Sequence, residues 1–174
     1  MPDRPTNAVS GAMSFYSALG LDVRYFPALW HTFNVGHMLA TDLDRICRQH
    51  GLSIADFNLL GALRIDRPVR LRPTDLAVTL QVSQAALSAR LLRLEREGLL
   101  VRSPATRDRR ASVLHLTPTG ARLVETIHSS IERDSTFVRQ FNSLPEDDQA
   151  TLARIMGELH NQMDRQLLRS ADRA

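Results

Sequence analysis

Between Ser83 and Pro118 the apolar period of the chain changes from helical to strand-like and back, and few folds accommodate that order. Ser83 is a helix N-cap residue, and Leu87, Leu91 and Leu94 follow at three- and four-residue spacing, which predicts a helix with one buried stripe. Gly98 closes it. Two short β-like runs come next, Leu99–Ser103 and Ala111–Leu116, bracketing the polar stretch Pro104-Ala105-Thr106-Arg107-Asp108-Arg109-Arg110. That is a hairpin with a charged tip. Thr117-Pro118 then reads as an N-cap with proline at the first helical position, opening a helix to about Phe141.

Upstream, Ser53-Ile54-Ala55-Asp56 has capping-box spacing and opens a helix whose buried face is Phe57, Leu59, Leu60 and Leu63. Pro73 suits the start of a short helix over Thr74–Leu80. Two helices, a turn and a hairpin make a winged helix-turn-helix over residues 53–117. The fold class is therefore mainly α with a small β-wing. Residues 1–13, rich in Pro, Asn, Ser and Gly, read as a flexible tail. Residues 14–52 carry two helices, the second ended by Gly51, and residues 118–174 carry more. Ser143-Leu144-Pro145-Glu146 reads as a second capping box opening the last helix.

The terminal helices hold more apolar stripe than a small DNA-binding core needs, which points to N- and C-terminal dimerisation helices. The expected interface residues are Phe15, Leu19, Leu152, Ile155, Leu159 and Met163.

Charge supports a polyanionic partner. All 22 basic residues are arginine. From Arg64 to Arg110 eleven of them face five acids, a local +6 in a chain of net charge +3. A recognition helix presents its first turns to base edges. Here that places Ser83, Gln84, Ala86 and Ser88 at the major groove, with Gln84 suited to adenine and the alanine methyl to thymine. Arg90 could reach guanine or phosphate; its bland alternative is a side chain in solvent or paired with Glu95 or Asp75. Arg93 reads as structural or phosphate-facing. Arg72 and Thr74 are plausible phosphate contacts, as is Arg107. Arg110 suits the minor groove, with Asp108 fixing its guanidinium. The expected partner is a pseudo-palindromic duplex.

Leu76-Ala77, the run Gly98-Leu99-Leu100-Val101-Arg102, then Asp108-Arg109-Arg110 and Leu116-Thr117-Pro118-x-Gly120 resemble the MarR family of winged-helix regulators. The likeness is sharpest over about residues 52–125. Leu87-Ser88-Ala89-Arg90-Leu91-Leu92-Arg93-Leu94-Glu95 and the long N-terminal extension are similar to its PecS and HucR subgroup, whose members are urate-responsive repressors. The resemblance implies a homodimeric repressor relieved by a small ligand. Arg102 matches the subgroup's pocket arginine. Asn58 stands where an aspartate is expected, and the tryptophan position falls near Ser14, beside Phe15 and Tyr16. The missing carboxylate removes an acceptor for ligand N–H groups. That argues against urate and for another aromatic acid or a phenol, held by Arg102, Asn58, Phe15 and Trp30. Trp30 reads more readily as a core or interface residue than as a ligand platform.

Other classes find less support. No Gly-rich phosphate loop, nucleophile motif or paired apolar carboxylates suggest an enzyme, and no cofactor is expected. The six histidines lack metal-ligand spacing. The single Cys47 fits a reducing compartment, and with no signal peptide or long apolar run the expected location is cytoplasmic. Two alternatives stay open: a redox-responsive regulator using Cys47, and a winged-helix protein-interaction adaptor.

Overall fold

The computed structural model describes residues 8–65, 82–104 and 112–171. Helix α1 (Ala8–Ala18) leads through a turn to α2 (Phe26–Gln49), with Pro27 in its first turn. Then come α3 (Ile54–Ile65) and α4 (Gln84–Arg96). Strands β1 (Leu100–Pro104) and β2 (Ser112–Leu116) follow. The chain continues as α5 (Pro118–Asp134), α6 (Thr136–Asn142) and α7 (Glu146–Ala171). Among the described residues no helix is long and apolar enough to cross a membrane. The expected short helix Thr74–Leu80 lies outside them.

The core gathers Ile46, Cys47, Leu52, Leu59, Leu60, Leu87, Leu91, Leu94, Leu100 and Leu114, all buried. Each buried leucine contributes about 1.5–3 kcal/mol of apolar transfer. Here α3 packs on β2 and α4 on β1. The strands pair antiparallel with Leu100 opposite Leu116 and Arg102 opposite Leu114, so the hairpin's inner face continues the leucine core.

Local chemistry fixes the joints. In the capping box at α3, the Ser53 amide donates to Asp56 Oδ2 at 2.9 Å and the Asp56 amide to Ser53 Oγ at 3.2 Å. The Ile54 amide donates to Asp44 Oδ1 at 2.9 Å, tying α3 to the end of α2. At the end of α4 the Leu99 amide donates to the Leu94 carbonyl and the Gly98 amide to that of Glu95, a closure that needs the left-handed backbone of Gly98 (φ 69°).

One hydroxyl joins three segments beyond it. Thr117 Oγ1 donates to the Gly98 carbonyl at 2.7 Å and accepts from the Gly120 amide at 3.0 Å, while the Thr117 amide donates to the Leu99 carbonyl at 3.1 Å. The first turn of α5 thereby lies on the backbone between α4 and β1. Only glycine fits at position 120, because a Cβ there would overlap the Leu99 carbonyl oxygen.

Three expectations differ from the structure. The tail expected over residues 1–13 is helical from Ala8, because Val9, Ala12 and Met13 fall at helical spacing. The helix expected to run to Phe141 stops at Asp134. Buried Ser135 takes an extended backbone and accepts from the Val138 amide at 3.3 Å, starting α6 afresh. Ser143 does not cap α7: its hydroxyl donates back to the Gln140 carbonyl at 2.6 Å, closing α6. The acidic first turn Glu146, Asp147 and Asp148 suits the positive end of the α7 dipole.

Candidate nucleic-acid interface

The first turn of α4 is built for outward display. Ser83 Oγ accepts from the Ala86 amide at 3.2 Å and caps the helix. Leu87, Leu91 and Leu94 anchor its inner side. That leaves Ser83, Gln84, Ala85, Ala86, Ser88 and Ala89 exposed, a set of small and amide-bearing side chains free to meet base edges. Ser83, Gln84, Ala86 and Ser88 are thus each accessible on the opening turns of the helix.

Arg90 departs from the free contact expected of it. It sits three residues past Leu87, on the flank of the buried stripe, and its Nε lies 3.1 Å from Asp56 Oδ1. Arg93 Nη2 reaches the same oxygen, and Arg93 Nη1 reaches Glu97 Oε1 at 3.0 Å. The partner is the buried cap acid of α3 rather than Glu95, which pairs with Arg102, while Asp75 lies outside the described residues. Burial acts to raise the Asp56 carboxyl, but the Ser53 hydroxyl and amide and the Arg93 guanidinium outweigh it and hold the group below its ordinary value.

Sequence reasoning took Asp56 only as a cap. The overlooked signal is its spacing: Asp56, Leu59, Leu60 and Leu63 lie on one helical face, so a carboxylate on that stripe needed a cationic partner from elsewhere in the fold.

On the hairpin, Arg102 shares a face with Leu100 and Leu114 and leans back to α4, its Nε 3.1 Å from Glu95 Oε2. Ser103 Oγ and His115 Nε2 lie 2.8 Å apart on the other face. The residues expected at the wing tip, Arg107, Asp108 and Arg110, lie outside the described residues, as do Arg72 and Thr74.

The four residues expected to hold a ligand fall into two groups. Phe15 and Trp30 belong to an aromatic chain on α1 and α2, running Phe15–Tyr16–Phe26–Trp30 with ring centroids 5.4, 5.9 and 6.0 Å apart. Arg102 is engaged by Glu95, and Asn58 is exposed on α3. Phe15 and Leu19 are each 62% exposed in the single chain. On α7, Leu152, Ile155, Leu159 and Met163 form a continuous exposed stripe, and no residue from Glu146 to Gln166 is buried.

Cys47 is buried at the end of α2. Burial first, then the charges of Asp44 and Asp56, push its thiol up to about 11, which leaves it protonated at neutral pH. Among the described residues no group of three His, Cys, Asp or Glu could hold a metal ion.

Known proteins share this fold and part of this sequence. The MarR family model matches residues 50–111. The transcriptional regulator PecS of Dickeya dadantii (strain 3937) is 26% identical over 145 residues, covering 82% of this chain and 86% of PecS. Among solved structures, the repressor CouR bound to a 23-mer DNA duplex superposes with a TM-score of 0.67 at 21% identity, covering 80% of this chain and 98% of CouR. The MepR–DNA complex of S. aureus gives 0.64 at 22% identity, covering 76% and 96%. CouR from Rhodococcus jostii RHA1 bound to p-coumaroyl-CoA gives 0.65 at 20% identity, covering 76% and 88%.

Proposed function

We propose that the chain is a winged-helix transcriptional regulator of the MarR type, acting as a homodimeric repressor on a pseudo-palindromic duplex operator. The observation that carries this reading is the exposed first turn of α4, capped by Ser83 and pinned from behind by three buried leucines. Ser83, Gln84, Ala86 and Ser88 meet base edges in the major groove. Arg72, Thr74 and Arg107 bind phosphates, and Arg110, steadied by Asp108, enters the minor groove. The DNA complexes of MepR and CouR support this use of the fold. Two copies join through the exposed apolar faces of α1 and α7, which places two recognition helices on one face of the operator.

A small aromatic acid or phenol relieves the binding. Arg102, Asn58, Phe15 and Trp30 are the residues proposed to receive it, with Arg102 as the counter-charge for an acid. CouR, crystallised both with DNA and with p-coumaroyl-CoA, supports a fold that meets a duplex and an aromatic acyl ligand.

The test is an electrophoretic shift of the protein's own promoter, titrated with salt. A sequence-selective complex that weakens steeply with salt is expected. No such complex overturns the reading in favour of a protein-interaction adaptor. Thermal melts against aromatic acids, phenols and urate test the ligand: stabilisation by an aromatic acid, lost in Arg102→Ala, is expected. A urate response lost in Arg102→Ala restores the purine ligand that Asn58 argues against.

A further inference from the structure

Helix α4 carries three arginines, and two are turned away from its outer face. Arg90 and Arg93 converge on one carboxylate oxygen, Asp56 Oδ1, while the other, Oδ2, accepts from the Ser53 hydroxyl at 2.6 Å and the Ser53 amide at 2.9 Å. Asp56 is 3% exposed, and Arg90 retains only 22% of its side-chain surface. Arg93 Nη2 lies directly against Oδ1, whereas Arg90 Nη1 is buried without a hydrogen-bond partner among the described residues. The hold on Arg90 is therefore mainly Coulombic, strengthened by partial removal from water and weakly directional.

An arginine extended from position 90 or 93 stands on the flank of a recognition helix, where the nearest oxygens of a duplex belong to phosphates. Phosphate contacts add affinity for every sequence alike. An arginine released here would raise binding to all DNA and dilute the readout by Gln84 and Ser88.

We propose that Asp56 is a specificity-determining positioning residue, whose carboxylate withholds Arg90 and Arg93 from the DNA backbone so that the first turn of α4 decides where the protein binds. The proposal rests on the DNA-binding reading given above. It makes the buried acid of α3 a selectivity element acting entirely through the recognition helix, with no contact of its own to DNA.

The substitution Asp56→Asn separates the two duties of the side chain. An amide oxygen can still accept from Ser53, keeping the cap, while the amide NH2 faces the guanidinium groups as a donor opposed to donors. Binding of the full-length protein to a mixed-sequence duplex is followed by fluorescence anisotropy over a series of salt concentrations, for wild type, Asp56→Asn, Arg90→Gln and the double variant. Circular dichroism checks the fold of each.

Asp56→Asn is expected to bind the mixed-sequence duplex about tenfold more tightly at low salt, with a log–log salt slope steeper by about one to two, one for each arginine released. The double variant is expected to lose about one unit of that gain. Arg90→Gln alone is expected to keep the wild-type slope. A folded Asp56→Asn protein with wild-type slope overturns the proposal, and so does Arg90→Gln shallower by about one unit, since Arg90 would then already touch phosphate. If Asp56→Asn does not fold, the Arg90→Gln slope decides alone. A wild-type protein that binds no duplex at any salt overturns the DNA-binding reading itself, an outcome distinct from a bound complex whose slope ignores these residues.

Discussion

The α-carbon of Gly120 faces the carbonyl oxygen of Leu99 so closely that a Cβ would occupy the same space. Gly120→Ala forces the start of α5 off the wing, and backbone, unlike a side-chain end, yields little. The expected cost is about 1–3 kcal/mol. It should appear as a lower denaturant midpoint at unchanged slope. A wild-type midpoint would mean that the two backbones part freely.

Acid should find Asp56. Its carboxyl is held below the ordinary 3.8, so the folded chain binds fewer protons than the unfolded one in that range. The stabilisation is complete above about pH 4 and is lost as the pH falls through the lower, folded value. Asp56→Asn should flatten this acid-side loss. Asp44, lowered by the Ile54 amide and Arg48, keeps part of it. Denaturant midpoints measured from neutral to acid pH check this, and parallel profiles for the two proteins would contradict it.

Cys47 should behave as a packed thiol. With its titration pushed up to about 11, reaction of the native protein with an aromatic disulfide at neutral pH is expected to be slow. The rate should rise about tenfold per pH unit below that value. Peroxide should leave DNA affinity unchanged. Rapid stoichiometric labelling at neutral pH would return Cys47 to consideration as a sensor.

The reach of sequence reasoning followed the range of the interactions. Ser83 as a cap, Leu87, Leu91 and Leu94 as an inner stripe, Gly98 as a stop and the hairpin between Leu100 and Leu116 were all legible, because each depends on neighbours within a turn or a strand pair. The break at Ser135 was masked by an apolar pattern that continues through Phe137 and Phe141 in a separate helix. Ser143 carried a cap's residue type but serves the helix behind it. Arg90 was the largest departure, since its partner Asp56 lies on another helix and no local rule joins them.

Arg110→Ala should weaken operator binding by about 1–3 kcal/mol while leaving the dimer intact. Titration of the promoter fragment reads the first, light scattering the second. Unchanged affinity removes the minor-groove role.

Leu159 is about half exposed in the middle of the α7 stripe. Leu159→Asp should yield monomers, because a carboxylate buried in an apolar interface lacks a partner. A variant still dimeric by light scattering places the interface elsewhere.

The Thr117 hydroxyl bridges the Gly98 carbonyl and the Gly120 amide, so the end of α4, the base of the hairpin and the start of α5 share one anchor. The end of α4, the base of the hairpin and the start of α5 therefore move as one piece. On the proposed DNA-binding reading, the recognition helix and the hairpin base would meet a duplex as a fixed ruler, so that a target of different groove spacing must bend to fit or be passed over.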